Sequence, residues 1–81
     1  MSQPGGSPPL HTMGAVRRLT GLTDRQIRYY HSHGLVTPAR SPGGHRLFDA
    51  ADVRRLVQVR ALLAAGLTIP EIRARLSPPP R

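Results

Sequence analysis

The chain has 81 residues and a formal net charge of +8, with 12 basic residues, all of them arginine, against four acidic ones. A chain of this length forms at most one domain, and without cysteine it forms neither disulfides nor thiolate metal sites. No apolar run approaches the roughly 18 residues that span a membrane, and no signal peptide is visible. The basic excess favours a polyanion as partner, most often nucleic acid.

The two ends differ from the middle in composition. MSQPGGSPPL at the start and SPPPR at the end hold six of the nine prolines and few apolar side chains. Because such segments cannot bury a core, we expect disordered tails over residues 1–11 and 77–81. One folded domain over 12–76 remains, and a core of that size is marginal.

The first helix is predicted over residues 13–20, with Thr12 as its N-cap and Gly21 after its end. Its apolar residues at helical spacing predict a buried face formed by Met13, Val16 and Leu19. Arg17 and Arg18 lie on the same helix as candidate DNA contacts, although such charges can equally serve only to solvate a surface.

The second helix is predicted over residues 24–33, behind the short connection Gly21-Leu22-Thr23. Thr23 and an acceptor three residues later form a capping box, which marks a helix start. Two short helices joined in this way predict a helix-turn-helix, whose second helix lies in the major groove of DNA.

Helical spacing separates two faces of this second helix. Ile27 and Tyr30 are three residues apart and predict the inward face. The outward face carries two guanidiniums, a phenol and a hydroxyl. The guanidiniums can pair with guanine or bind phosphate. Its members are Arg25, Arg28, Tyr29 and Ser32, with Asp24 and Gln26 beside them.

A two-stranded hairpin is predicted between the second and third helices. Residues 35–40 and 45–48 can be extended, and Ser41-Pro42-Gly43-Gly44 reads as a turn. Glycine allows backbone to approach a phosphate closely, and the strands carry Arg40, His45 and Arg46. An ordinary tight turn is the alternative for the two glycines.

Two further helices are predicted over residues 50–65 and 69–76, both opened by capping boxes, at Asp49 and at Thr68. Pro70 suits the first turn of the last helix. Arg54 and Arg55 near the start of the third helix are weaker DNA candidates. The third helix has a wide apolar stripe formed by Val53, Leu56, Val57, Val59, Leu62, Leu63 and Ala64.

Metal binding and catalysis find no support in the sequence. His31 and His33 are two residues apart and point in different directions on a helix, and no thiolate or acid completes a ligand set with them. We expect these two to be favoured by the helix dipole when protonated. No phosphate loop or nucleophile–base pair is present, so we expect neither an enzyme nor a bound cofactor.

Three segments together resemble the DNA-binding domain of MerR-type transcription regulators. They are MGAVRRLTGLTDRQIRYYHSHGL, VTPARSPGGHRLFDAADVRRL and LLAAGLTIPEIRARL, and the run from Met13 to Leu76 that contains them is about four fifths of the chain, matched without a gap. The resemblance implies a mostly α winged helix-turn-helix with four short helices and a small β-hairpin wing. It also implies homodimers on palindrome-like promoter sites in double-stranded DNA, with helix 23–33 in the major groove and wing 36–48 on the flanking backbone or minor groove.

From the outward faces and from this resemblance we take one set of candidate DNA contacts. They are Arg17, Arg18, Thr23, Arg25, Gln26, Arg28, Tyr29, Tyr30, Arg40, Gly44, His45 and Arg46.

The hexapeptide RQIRYY and the PAR that follows look most like the GlnR/TnrA branch, which governs nitrogen assimilation. That branch implies a cytoplasmic, nucleoid-associated regulator whose full-length form responds to glutamine synthetase. MerR-type proteins usually continue into a long dimerisation helix, whereas SPPPR follows Leu76 here. We therefore favour a DNA-binding part of a longer protein over a natural stand-alone domain.

Two other functions are compatible with the same residues. An architectural protein, similar to an excisionase or a nucleoid protein, would bend DNA with weak sequence discrimination. A protein-binding module would use Arg28 and Tyr29 as anchors for an acidic partner.

Overall fold

The computed structural model describes residues 10–76, which form four helices and one two-stranded antiparallel sheet. This confirms the predicted mostly α architecture with a small hairpin. The predicted disorder of residues 1–9 and 77–81 lies outside the described residues. The elements in chain order are α1 (Met13–Thr20), α2 (Asp24–Ser32), β1 (Ala39–Arg40), β2 (Arg46–Leu47), α3 (Ala50–Ala64) and α4 (Ile69–Arg75).

All three predicted capping boxes are confirmed. At the start of α2 the Thr23 Oγ1 accepts the Gln26 backbone N–H at 3.1 Å, and the Gln26 Oε1 accepts the Thr23 backbone N–H at 2.9 Å. Each pair satisfies two backbone donors that a helix start would otherwise leave without partners. The same reciprocal arrangement opens α3 and α4, through Asp49 with Asp52 and Thr68 with Glu71.

The helix ends also agree closely with the prediction. The last residues of α2, α3 and α4 each lie one position earlier than predicted. Gly21, Gly34 and Gly66 have φ angles of 76°, 73° and 97°, as expected for left-handed positions after a helix. At Gly21 a Cβ would also approach the Arg60 guanidinium to 3.1 Å, so both conformation and space favour glycine there.

The core lies between the helices and beneath the hairpin. Three predictions about it are wrong: Leu19 is 57% exposed, Val57 is 46% exposed, and Ala64 is exposed as well. The other helices cover a narrower strip of α1 and α3 than apolar periodicity suggests, so these three side chains fall outside the covered strip. The buried hydrophobic residues are Val16, Leu22, Ile27, Tyr30, Leu35, Val36, Phe48, Leu56, Val59 and Ile72.

The hairpin is confirmed, with shorter strands than predicted. Ala39 pairs with Leu47 and Arg40 with Arg46, while Leu35 and Val36 are fully buried in the core instead of pairing. The Gly44 N–H donates to the Ser41 carbonyl at 2.8 Å and closes the predicted turn.

His11 lies in the segment predicted to be a disordered tail, but its backbone pairs with Phe48. The His11 N–H donates to the Phe48 carbonyl at 2.7 Å, and the Phe48 N–H donates back at 2.9 Å. Because backbone hydrogen bonds do not depend on side-chain type, composition alone could not reveal this pairing. It fixes the entry of the chain into α1 beside the hairpin.

Three arginines of α3 and α4 stabilise the fold through distant backbone carbonyls. Arg60 donates to the Thr20 carbonyl at 2.8 Å, and Arg73 donates to the His33 carbonyl at 2.9 Å. Arg55 is partly buried and donates through Nε to the Leu35 carbonyl, so it serves the fold, and its weak candidacy as a DNA contact stays a prediction. Cations at helix C-termini satisfy free carbonyls and oppose the negative end of the helix dipole.

Candidate nucleic-acid interface

The outward face of α2 presents the side chains that helical spacing placed there. Arg25, Gln26, Arg28 and Tyr29 are exposed, and Tyr29 is 49% exposed. Ile27, on the opposite face, is fully buried. The helix therefore anchors itself through one face and offers guanidinium, amide and phenol groups on the other.

Arg28 is held by an acid on the preceding turn. Its Nε donates to Asp24 Oδ2 at 2.7 Å, and both side chains are largely exposed. A charge pair in this setting contributes little to stability because water screens it. It does orient the guanidinium, and it offsets the repulsion that Asp24 would exert on a phosphate.

The two tyrosines have different environments. The Tyr29 ring contacts the His33 ring edge-on at a centroid distance of 4.4 Å. Tyr30 is only 4% exposed and packs in the core, and burial raises the pKa of its phenol. Its ring anchors α2, yet Tyr30 also lines a shallow pocket on the outward face of α2 together with Tyr29, so its role as a DNA contact stays a prediction.

The wing tip is ordered by its own backbone and side chains. Arg40 Nη1 donates to the Gly44 carbonyl at 2.8 Å across the turn. Gly44 has a φ of 85°, a conformation that other residues rarely adopt, and a Cβ placed there would meet no non-neighbouring atom within 4 Å. The exposed tip can therefore approach a flat or concave partner closely.

A cleft of about 330 Å³ joins the start of α1, the recognition face of α2 and the wing. Four predicted site residues meet there: Arg28, Gly44, His45 and Arg46. Residues far apart in sequence thus form one basic concave surface, lined also by Thr12, Met13 and Gly14.

The remaining predicted residues are arranged around this surface. Arg17 and Arg18 are exposed in the last turn of α1. Thr23 is exposed as well, but its hydroxyl is engaged in the capping box of α2. Its availability to a second partner is therefore limited to the oxygen's remaining lone pair.

His31 is a residue that sequence reasoning did not assign to the site. Its Nδ1 accepts a hydrogen bond of 3.1 Å from Arg46 Nε, which joins α2 to the wing. Burial, together with the nearby charges of Arg46 and Arg40, lowers the pKa of His31 below its ordinary value of 6.5. This arrangement requires a neutral His31, because a ring protonated at Nδ1 could not accept the bond.

The lowered pKa of His31 predicts that the stability of the fold depends on pH. Below about pH 6.5 the unfolded chain binds a proton at His31 that the folded chain resists, so the free energy of unfolding falls as pH decreases. We expect thermal unfolding followed by circular dichroism between pH 7.5 and 5.5 to show a decline that His31→Asn reduces. Equal declines in both proteins would contradict this assignment.

Neither a metal site nor a membrane-spanning helix is seen in the described part of the chain. Residues 10–76 contain no group of three His, Cys, Asp or Glu side chains placed to hold an ion. In the same range no helix has the length and apolar character needed to cross a bilayer.

Comparison with known proteins identifies the family. Residues 11–77 match the model of the MerR HTH family of regulatory proteins. The HTH-type transcriptional regulator GlnR of Bacillus anthracis is 44% identical over 73 residues, which is 90% of this chain and 57% of that protein. TnrA of Bacillus subtilis, also an HTH-type transcriptional regulator, is 43% identical over 61 residues, which is 75% of this chain and 56% of that protein.

Solved structures agree on the fold. HiNmlR, a MerR family regulator lacking the sensor domain and bound to promoter DNA, superposes with a TM-score of 0.79 at 22% identity, over 83% of this chain and 52% of that one. PbrR691, a transcription regulator from Ralstonia metallidurans in complex with lead(II), superposes at 0.74 with 33% identity, over 80% of this chain and 52% of that one.

Both of these relatives are transcriptional regulators rather than enzymes, which confirms the predicted class. The chain spans a little over half the length of the two relatives named above. With its four helices, its hairpin and a match over residues 11–77, the chain belongs to the MerR HTH family of DNA-binding transcription regulators.

Proposed function

We propose that this chain reads a specific site in double-stranded DNA, with helix 23–33 in the major groove and wing 36–48 on the flanking backbone or minor groove. The observation that carries the proposal is the single basic surface formed by the outward face of α2 and the wing around the shared cleft. A helix fits the major groove, and arginine reads guanine or grips phosphate there.

The surface divides into two roles. Arg25, Arg28 and Gln26 are placed to reach base edges, because base contacts come from the exposed face near the start of a recognition helix. The remaining members bind the phosphate backbone of the DNA and position the protein there without reading the base sequence. These are Arg17, Arg18, Thr23, Tyr29, Tyr30, Arg40, Gly44, His45 and Arg46.

The domain limits and the pairing of subunits are part of the same proposal. Residues 12–76 form the DNA-binding domain, and two copies occupy the halves of a palindrome-like promoter site as a homodimer. Two-fold symmetry of the protein then matches the symmetry of the site, with a half-site spacing set by the dimer geometry.

The proposed biological role is taken from the relatives. Resemblance to GlnR and TnrA supports control of nitrogen metabolism in a cytoplasmic, nucleoid-associated regulator. In a full-length form, glutamine synthetase is the partner that the resemblance implies.

The proposed function predicts a steep dependence of affinity on salt. If each subunit neutralises about four to six phosphates, the logarithm of the binding constant falls with the logarithm of salt concentration at a slope of about −4 to −5 per subunit. Fluorescence anisotropy with a labelled duplex at about 50–300 mM salt measures this slope. A slope near zero would contradict a phosphate-gripping surface and favour a protein partner.

A further inference from the structure

The hydrogen bond between His31 and Arg46 connects the two parts of the proposed DNA surface. Arg46 lies on β2 and His31 lies near the end of α2, 15 residues earlier in the chain. Both are half-buried, so the bond is partly shielded from water. The position of the wing relative to the recognition helix is therefore coupled to this contact.

The bond uses one side of the Arg46 guanidinium and leaves the other side available. Arginine has five N–H donors, and His31 takes the one on Nε. The four Nη donors have no hydrogen-bond partner within residues 10–76, and Arg46 lines the cleft together with Arg28. A guanidinium held at Nε presents a flat pair of donors that suits a phosphate.

The electrostatics around Arg46 explain why a neutral acceptor is effective there. Burial lowers the pKa of Arg46, the charges of Arg28 and Arg40 lower it further, and Asp24 acts in the opposite direction. A carboxylate facing Arg46 would attract the guanidinium but cancel its charge toward DNA. Neutral imidazole fixes the group in a repulsive environment and keeps its full positive charge.

We propose that His31 is a positioning residue for DNA binding. It holds the Nε of Arg46 so that the remaining donors of Arg46 bind a backbone phosphate at the edge of the groove that the recognition helix enters. This inference rests on the proposed function. His31 itself makes no contact with DNA in this arrangement; it acts through Arg46.

The test compares variants of the full 81-residue chain on a duplex selected by the wild-type protein, at pH 7.5 and fixed salt. We expect His31→Ala to weaken binding about threefold to tenfold, the range of one lost hydrogen bond. His31→Asn, which offers an amide oxygen near the position of Nδ1, should restore binding to within about twofold. Arg46→Ala should also bind weakly, and His31→Ala should add no further loss to it.

The salt slope separates positioning from general destabilisation. His31→Ala and Arg46→Ala should both reduce the slope by about one, since the same phosphate contact is lost, whereas His31→Asn should not. Circular dichroism melting checks that each variant folds. If His31→Ala does not fold, Arg46→Lys provides the test. Lysine has neither the Nε group that bonds His31 nor the pair of Nη donors, so this variant should bind DNA more weakly than wild type.

Any of four results would overturn the inference. Wild-type affinity and slope in His31→Ala would show that Arg46 needs no positioning, as would wild-type affinity in Arg46→Lys. A full additional loss on combining His31→Ala with Arg46→Ala would show that the two residues act independently. Failure of the wild-type chain to bind any selected duplex would overturn the proposed function together with this inference.

Discussion

Replacing Arg28 by alanine is expected to weaken binding to the selected DNA site by about 1–3 kcal/mol and to relax discrimination at the base pair it faces. Two effects act in the same direction. The guanidinium that reaches the groove is lost, and the Asp24 carboxylate loses its partner at 2.7 Å and turns a bare negative charge toward phosphate. The loss should therefore exceed that of Arg25→Ala, because Arg25 forms no ion pair within residues 10–76.

Double substitution separates these two effects. Asp24→Ala combined with Arg28→Ala should recover part of the lost affinity if the unpaired carboxylate contributes to the defect. Arg75→Ala is the matched charge control, since it removes one arginine from the end of α4, which lines neither the cleft nor the outward face of α2. Unchanged affinity and specificity in both Arg25→Ala and Arg28→Ala would remove α2 as the recognition helix.

Replacing Phe48 by alanine is expected to lower the free energy of unfolding by about 3–5 kcal/mol, the range for truncating a fully buried phenylalanine. Phe48 is 0% exposed, and its backbone pairs with His11 at the junction between wing and α3. A small domain has about 5–15 kcal/mol in total and a domain of this size is marginal, so the variant should be largely unfolded at 37 °C.

Urea unfolding followed by circular dichroism at 25 °C measures this loss. Val57→Ala is the matched control, because Val57 is apolar and on α3 but 46% exposed, and its loss should stay near 0.5 kcal/mol. Similar losses in the two variants would mean that Phe48 does not occupy the packed centre of the domain.

Local signals predicted the architecture well because they involve residues three or four apart. The capping boxes at Thr23, Asp49 and Thr68 need only a side chain and a backbone group within one helical turn. The inward and outward faces of α2 follow from the same short spacing. The width of the buried strip on α1 and α3 depends on neighbouring helices, and so Leu19 and Val57 were assigned wrongly.

The functional assignment of arginines could not be completed from the sequence. Arg55, Arg60 and Arg73 bind carbonyls 20 to 40 residues away, and nothing in their local sequence separates them from arginines that face a partner. The pairing of His31 with Arg46 could not be predicted for the same reason, since only folding brings the end of α2 against the wing. Tyr30 shows the limit of helical spacing in the same way: the spacing predicted its burial, but only the fold shows that it also lines a pocket on the outward face of α2.

The central claim is that α2 and the wing read a defined DNA sequence as one surface. Selection of bound sequences from random duplex DNA at about 150 mM salt tests it most directly, because sequence-independent binding weakens as salt rises. We predict enrichment of a discrete motif, as an inverted repeat with fixed spacing if two subunits bind together. Binding without any enriched motif would contradict sequence-specific recognition and support an architectural DNA-bending protein instead.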